Sequence, residues 1–188
     1  MTTNHDLNSL IGGDAVRLEG QLPLAWGAPP EDPVALLDVM ADNHVLLRAL
    51  LAMDEAAGAA ETEHARDSGI QSLESRVDLL LLMASAALRG MGNVPPSFRC
   101  ILTAHTLRWA SPDALGVGQH LWARLYLRQR VVMPLVLPGV VLEEYALQEH
   151  GYWRTLEFRG LEPAVQRDLE RLIFRRHRRD VARQRTAP

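Results

Sequence analysis

Two arginines four apart, Arg124 and Arg128, are the first residues of this 188-residue chain whose type and spacing suggest a task. A guanidinium fork can grip anionic oxygens two at a time and stack on flat rings. Two surface arginines on one strand face are the better account of the spacing. Asp38 and Asp42 are also four apart, but acid–base work needs burial to shift a pKa, and a solvated helix surface accounts for them. The seven histidines (His5, His44, His64, His105, His120, His150 and His177) show neither HxH nor HExxH spacing. Cys100 is alone, which leaves no internal disulfide and no cysteine-based zinc site, so no metal is expected. No GxSxG is present. Gly116-Val117-Gly118 is half of a dinucleotide motif and reads as a turn. None of this points to an enzyme.

Charge is uneven along the chain. Residues 1–96 hold five arginines against fourteen acids (−9), and residues 97–188 hold fifteen arginines against nine acids (+6), which together give the net −3. Seven of those arginines lie between Arg171 and Arg185, beside Glu170 and Asp180. Such a run attracts phosphate, yet no aromatic residue interleaves with it for base stacking. A solvated helix end, its cations suited to the C-terminal dipole, is the expectation, with no nucleic-acid partner. A second use would be pairing with the acids of a neighbouring chain. Hydrophobic residues at 47% and charged residues at 23% fit a globular domain. With no apolar run of about 18–20 residues and no signal peptide, a cytoplasmic location and no membrane span are expected.

The elements that would position these groups follow from periodicity. Residues 1–15 are polar and read as a loose arm. Val16 to Trp26 alternates as a strand, with Gly20 suggesting a bulge and Pro23 an edge position. Asp32-Pro33 opens a helix that runs to about Ala57, striped by Leu36, Leu37, Met40, Leu47, Leu50 and Leu51. Asn43 or His44 falls where that stripe thins, and a solvent-facing position is expected. The pattern then centres on Ile70, Leu73, Val77, Leu80, Ala84, Ala87 and Met91, whose steps alternate three and four over three heptads. Leu79, Leu81, Leu82 and Met83 add further apolar faces, so this helix calls for partners on several sides. Gly90, Gly92 and Pro95-Pro96 close it.

Beyond Pro96 the signal turns to sheet. SFRCILTAHTLRWAS, HLWARLYLRQ, VVMPLVL, GVVLEEYAL and GYWRTLEF read as strands, with Pro138-Gly139 and His150-Gly151 as turns. In HLWARLYLRQ, Leu121, Ala123, Leu125 and Leu127 form the inward row. With the first strand that makes about six, a small barrel or sandwich. Glu162-Pro163 then opens a final helix striped by Val165, Leu169, Leu172 and Ile173.

Three of these stretches, LTAHTLRWASPDALGVGQHLWARLYL, LPGVVLEEY and WRTLEFRGLEPAVQRDLERLIFRRHR, resemble the PilZ domain, a small bacterial β-barrel module. Together they cover most of Phe98 to Arg179. The resemblance implies an α+β fold: a small antiparallel β-barrel with an inserted helical hairpin and a C-terminal helix. PilZ domains that bind cyclic di-GMP use RxxxR ahead of a strand carrying [D/N]xSxxG. Here the second motif aligns to Ile101, Thr103 and Thr106, in place of the acid or amide, the serine and the glycine. No RxxxR precedes it, since only Arg89 and Arg99 lie nearby.

About 70 helical residues, Gly27 to Ser97, intervene between the first strand and the rest. That resembles the atypical tetrameric PilZ proteins, in which a long heptad helix joins four chains and the nucleotide motifs are lost. The expectation is therefore one atypical PilZ domain over 1–188, with an arm (1–15), a first strand (16–26), a helical oligomerisation insertion (27–97), barrel strands (98–160) and a C-terminal helix with a basic tail (161–188). It would assemble as a tetramer and act through protein partners in cyclic di-GMP-related signalling, with no cofactor. Cyclic di-GMP binding through Arg124 and Arg128, or through the tail, is the alternative.

Overall fold

The computed structural model describes residues 16–59, 94–128, 131, 133–147 and 151–186. Between 60 and 93 it describes eight helical positions: Leu73, Arg76, Val77, Leu79, Leu80, Met83, Ala84 and Ala87. The arm at 1–15, Ile70, Met91, Arg89 and His150 lie outside the described residues.

Six strands close into an antiparallel barrel: β1 (Leu18–Gly27), β2 (Ser97–Leu102), β3 (Thr106–Ser111), β4 (His120–Leu125), β5 (Leu135–Ala146) and β6 (Tyr152–Phe158). Their order around the barrel is β1-β2-β3-β6-β5-β4. Alternation decides which side chains go inside. Leu121, Ala123, Leu125, Leu102, Leu107, Leu137 and Leu156 are all buried in one core, while Arg124 between them faces out.

The strands divide the chain differently from the sequence pattern. SFRCILTAHTLRWAS is a hairpin, β2 and β3, while the last three residues of VVMPLVL run on into GVVLEEYAL as β5. Pro138-Gly139 is therefore not a turn. It lies inside β5, paired with Trp122 on one side and Phe158 on the other. Gly139 is needed there for room: a Cβ would meet the Glu157 carbonyl oxygen at 2.3 Å and Leu156 Cγ at 2.8 Å. The irregularity expected at Gly20 is absent, since β1 and β2 pair without interruption from Leu18 to Pro23; a bulge falls instead in β5, between Val141 and Glu143. Closure also removes the edge expected at Pro23. This proline sits where β1 passes from β2 to β4, and its carbonyl accepts a bond from the Tyr126 N–H (3.0 Å). Gly116 and Gly118 have positive φ, as the β3–β4 turn requires.

Two long helices pack on the barrel and on each other, α1 (Pro33–Ala59) and α2 (Pro163–Thr186). Asp32 caps α1, its carboxylate accepting from the Val34 N–H at 2.9 Å. Met40, Leu46, Leu47, Leu50 and Leu51 are its buried stripe, but Leu37 is 66% exposed and so is no part of it. Asn43 corrects a second expectation. It is 1% exposed rather than solvent-facing, with its side-chain amide bonded to both backbone groups of Val136. His44 beside it is half-exposed, with Nδ1 3.5 Å from Asp168 on α2. The stripe of α2, Val165, Leu169, Leu172 and Ile173, is buried as the spacing requires.

The basic end of α2 is not simply solvated. Arg176 and Arg179 both reach Asp54 near the end of α1, at 3.2 Å each, and Arg175 reaches Glu55 at 2.6 Å. Arg176 also donates to the Leu127 carbonyl (3.0 Å), and Arg179 to the backbone carbonyl of Asp54. Asp54 is buried beneath them. The acids that these arginines meet belong to their own chain. No helix among the described residues is long and apolar enough to cross a membrane.

Candidate functional site

Four residues that are successive register partners form a row across the outer face of the barrel: Ile101 on β2, Arg108 on β3, Thr155 on β6 and Glu143 on β5. Paired residues of neighbouring strands share a face, which is why separations of up to 54 positions collapse into one line. Within it Arg108 Nε donates to Thr155 Oγ1 (3.0 Å), the Thr155 hydroxyl donates to Glu143 (3.4 Å), and the Arg108 guanidinium lies 3.9 Å from that carboxylate. Arg108 is buried, and residues of α2 face it across a cleft. The sequence showed its direction, between inward Leu107 and Trp109, but not its cover.

Between this row, the β2–β3 turn and α2 opens a cleft of about 830 Å³. That volume is in the range of small-ligand sites, about 300–1,000 Å³. Its floor is apolar, from Ile101, Ala104 and Ile173, with Val16 and Phe174 on its walls; Arg167, Glu170 and Arg171 of α2 stand along one side. His105 Nδ1 and the side-chain amide of Gln166 are 2.7 Å apart and fasten α2 to the turn.

All three motif positions, Ile101, Thr103 and Thr106, line this cleft. Each is used internally. Ile101 is buried. The Thr103 hydroxyl accepts from the backbone N–H groups of Thr106 (2.9 Å) and His105 (3.2 Å), closing the turn. Thr103 and Thr106 hydroxyls are themselves 2.9 Å apart. Arg124 and Arg128 are elsewhere. Arg124 is exposed on β4, opposite Ala25 and Val136, and Arg128 lies past the end of β4, with its guanidinium 3.2 Å from Met53 Sδ. Neither lines the cleft, and only Arg124 is on the strand.

The heptad positions make a second surface. Leu73, Val77, Leu80, Ala84 and Ala87 are all exposed, while Leu79 is buried at 2% and Met83 packs against the core. Residues 73, 77, 80, 84 and 87 fall on one side of a helix, so the side that faces the chain's own core is the other one.

Another arginine, Arg154, is wholly buried beside Trp26 and Trp109, whose ring centres lie 5.9 and 5.3 Å from its guanidinium carbon. Burial pushes its pKa down, opposed by Glu144 at 3.4 Å. It also donates to the Asp113 carbonyl. Glu144 in turn accepts from the Leu115 (2.9 Å) and Gly116 (3.3 Å) N–H groups. This cation is committed to holding the β3–β4 loop. No cluster of metal-ligating side chains occurs among the described residues.

Residues 47–186 match a family model described as an atypical PilZ domain, cyclic di-GMP receptor. Among solved structures, the chain is similar to a pathogenic protein from Xanthomonas campestris, described as a new tetrameric PilZ domain self-assembled through an unusual helical bundle. The TM-score is 0.66 at 24% identity, over 96% of this chain and 98% of that one. The Bacillus subtilis inhibitor of motility (MotI/DgrA) aligns at a TM-score of 0.36 and 18% identity, over 44% of this chain and 43% of that one. No curated protein matches the sequence.

Proposed function

Because the chain belongs to the atypical PilZ domain family, described as cyclic di-GMP receptors, we propose that it is a non-enzymatic assembly protein of cyclic di-GMP-related signalling. In this reading the whole chain is one PilZ unit, cytoplasmic, whose helical insertion joins four copies and whose barrels engage protein partners in pilus motility or virulence. The observation that carries it is the exposed face of Leu73, Val77 and Leu80 opposite a buried Leu79. Three large aliphatic side chains left in water forfeit roughly 1.5–3 kcal/mol each. The similar Xanthomonas protein, a tetramer built on a helical bundle, supports the same arrangement here.

Loss of nucleotide binding belongs to the same reading. The motif positions that would approach a nucleotide closely carry a buried Ile101 and a Thr103–Thr106 pair bonded to each other. The second reading, a cyclic di-GMP receptor, is favoured by the cleft itself, which sets Arg167 and Arg171 beside those positions. Light scattering and calorimetry separate the two. Assembly predicts about four times the 20.9 kDa chain mass and no heat on titration with cyclic di-GMP at micromolar concentration. A micromolar affinity abolished by Arg171→Ala, or by Arg124→Ala, replaces the first reading with the second. A monomer in solution removes the assembly role.

A further inference from the structure

The cleft beside α2 has a mostly apolar surface, and two of its apolar lining residues, Val16 and Phe174, are exposed, Phe174 at 47%. Val16 is also the first described residue of the chain, so the polypeptide enters β1 from the cleft wall. The fifteen residues before it include Leu7, Leu10 and Ile11 between Asp6 and Asp14, with no arginine. On α2, Arg171 makes no ion pair among the described residues, whereas Arg108 is already matched by Glu143.

We propose that the occupant of this cleft is the chain's own amino-terminal segment, residues 6–14, with Leu10 and Ile11 on the apolar floor and an aspartate toward Arg171. Three considerations converge on it. The tether is short: Ile11 is five residues from Val16, a reach of at most about 18 Å. A segment held that close acts at an effective concentration in the millimolar range, so modest contacts suffice to fill the site. The pattern of the segment, aliphatic residues bracketed by acids, complements a mostly apolar cleft whose α2 side carries Arg167 and Arg171 against Glu170, one net positive charge. The segment would then occupy the space beside Ile101, Thr103 and Thr106 as an internal ligand. This holds whether or not the chain assembles, and so is separable from the role proposed above.

The test uses the full chain. With one native thiol, Cys100, buried, the pair Ile11→Cys and Phe174→Cys is expected to form an intrachain disulfide under mild oxidation. The pair Ile11→Cys and Arg124→Cys is not. Separately, Leu10→Asp with Ile11→Asp is expected to raise anilinonaphthalene sulfonate fluorescence severalfold. A synthetic peptide of residues 4–15, added at about millimolar concentration, should return it toward the wild-type value. Disulfides formed only between two chains, or equally well in both cysteine pairs, overturn the proposal. So does dye fluorescence unchanged by the double aspartate variant, or cyclic di-GMP binding in the cleft with equal affinity in the wild type and that variant.

Discussion

Asn43 and Val136 are joined through both polar groups of each: the asparagine amide nitrogen donates to the valine carbonyl at 2.7 Å, and its oxygen accepts from the valine N–H at 2.9 Å. The pairing of β6 with β5 begins only at Gly139, so Val136, paired with Arg124 of β4 on one side, lies beyond the reach of β6 on the other. The side chain from α1 takes the place that a further strand residue would fill. A helix is thereby registered on a sheet by one amide.

Replacing Asn43 with leucine keeps the volume and removes both bonds. It leaves a buried N–H and C=O without partners, at about 1–3 kcal/mol for each unsatisfied group. The urea midpoint of Asn43→Leu should fall clearly below that of Arg48→Ala, an exposed position on the same helix. Equal midpoints would mean that water satisfies Val136 and that the amide pair adds nothing.

Neighbouring leucines in the central stretch should behave in opposite ways. Leu79→Ala opens a cavity in the core and should cost about 2–5 kcal/mol. Leu80→Asp touches nothing in its own chain's core, at 64% exposure, but places a charge in the proposed dry interface. The expected outcome is a folded chain of lower mass by light scattering, or aggregation. An unchanged mass with unchanged stability would remove this face from any assembly.

The end of α2 divides into structural and solvated arginines. Removing both Arg176 and Arg179 strands the buried Asp54 carboxylate, and breaking a buried pair costs about 3–5 kcal/mol. Arg178, which only covers the Phe174 ring at 5.8 Å, should be worth about 0.5–1 kcal/mol. Truncation from Arg175 onward is therefore expected to destabilise the fold, where the sequence pattern alone suggested no effect. Affinity of the intact tail for duplex or single-stranded DNA should vanish near physiological salt; sequence-preferring binding that persists there would contradict this.

Burial raises the Cys100 thiol from 9.0 to about 12. A raised acid pKa means that the unfolded chain loses this proton first, so its contribution to stability is full below about pH 9 and declines as pH rises toward 12. Iodoacetamide at pH 8 should leave native Cys100 unmodified while labelling it rapidly in urea. Fast native labelling would place the thiol at the surface.

How legible this molecule was depends on whether local pattern or distant contact decides each feature. Alternation in Leu121, Ala123 and Leu125 revealed β4, and the spacing of Val165, Leu169, Leu172 and Ile173 revealed the buried side of α2, because one period governs each. Pro138-Gly139 misled for the converse reason. Locally the pair spells a turn, but the glycine answers a carbonyl from β6. Arg108 and Asn43 were missed or misplaced because their burial comes from elements 30 or more positions away. The motif positions were read within one continuous strand, SFRCILTAHTLRWAS, whereas the chain folds back there between β2 and β3, and their internal bonds depend on a geometry that no alignment displays.

The fastening of α1 at two points has a mechanical meaning. Asn43 pins its middle to β5, and Asp54 pins its far end to α2, itself seated on the barrel. A helix held at two places about 11 residues, or roughly 16 Å, apart does not swivel. The first helix of the insertion is thus fixed to its own barrel as a bracket rather than a hinge.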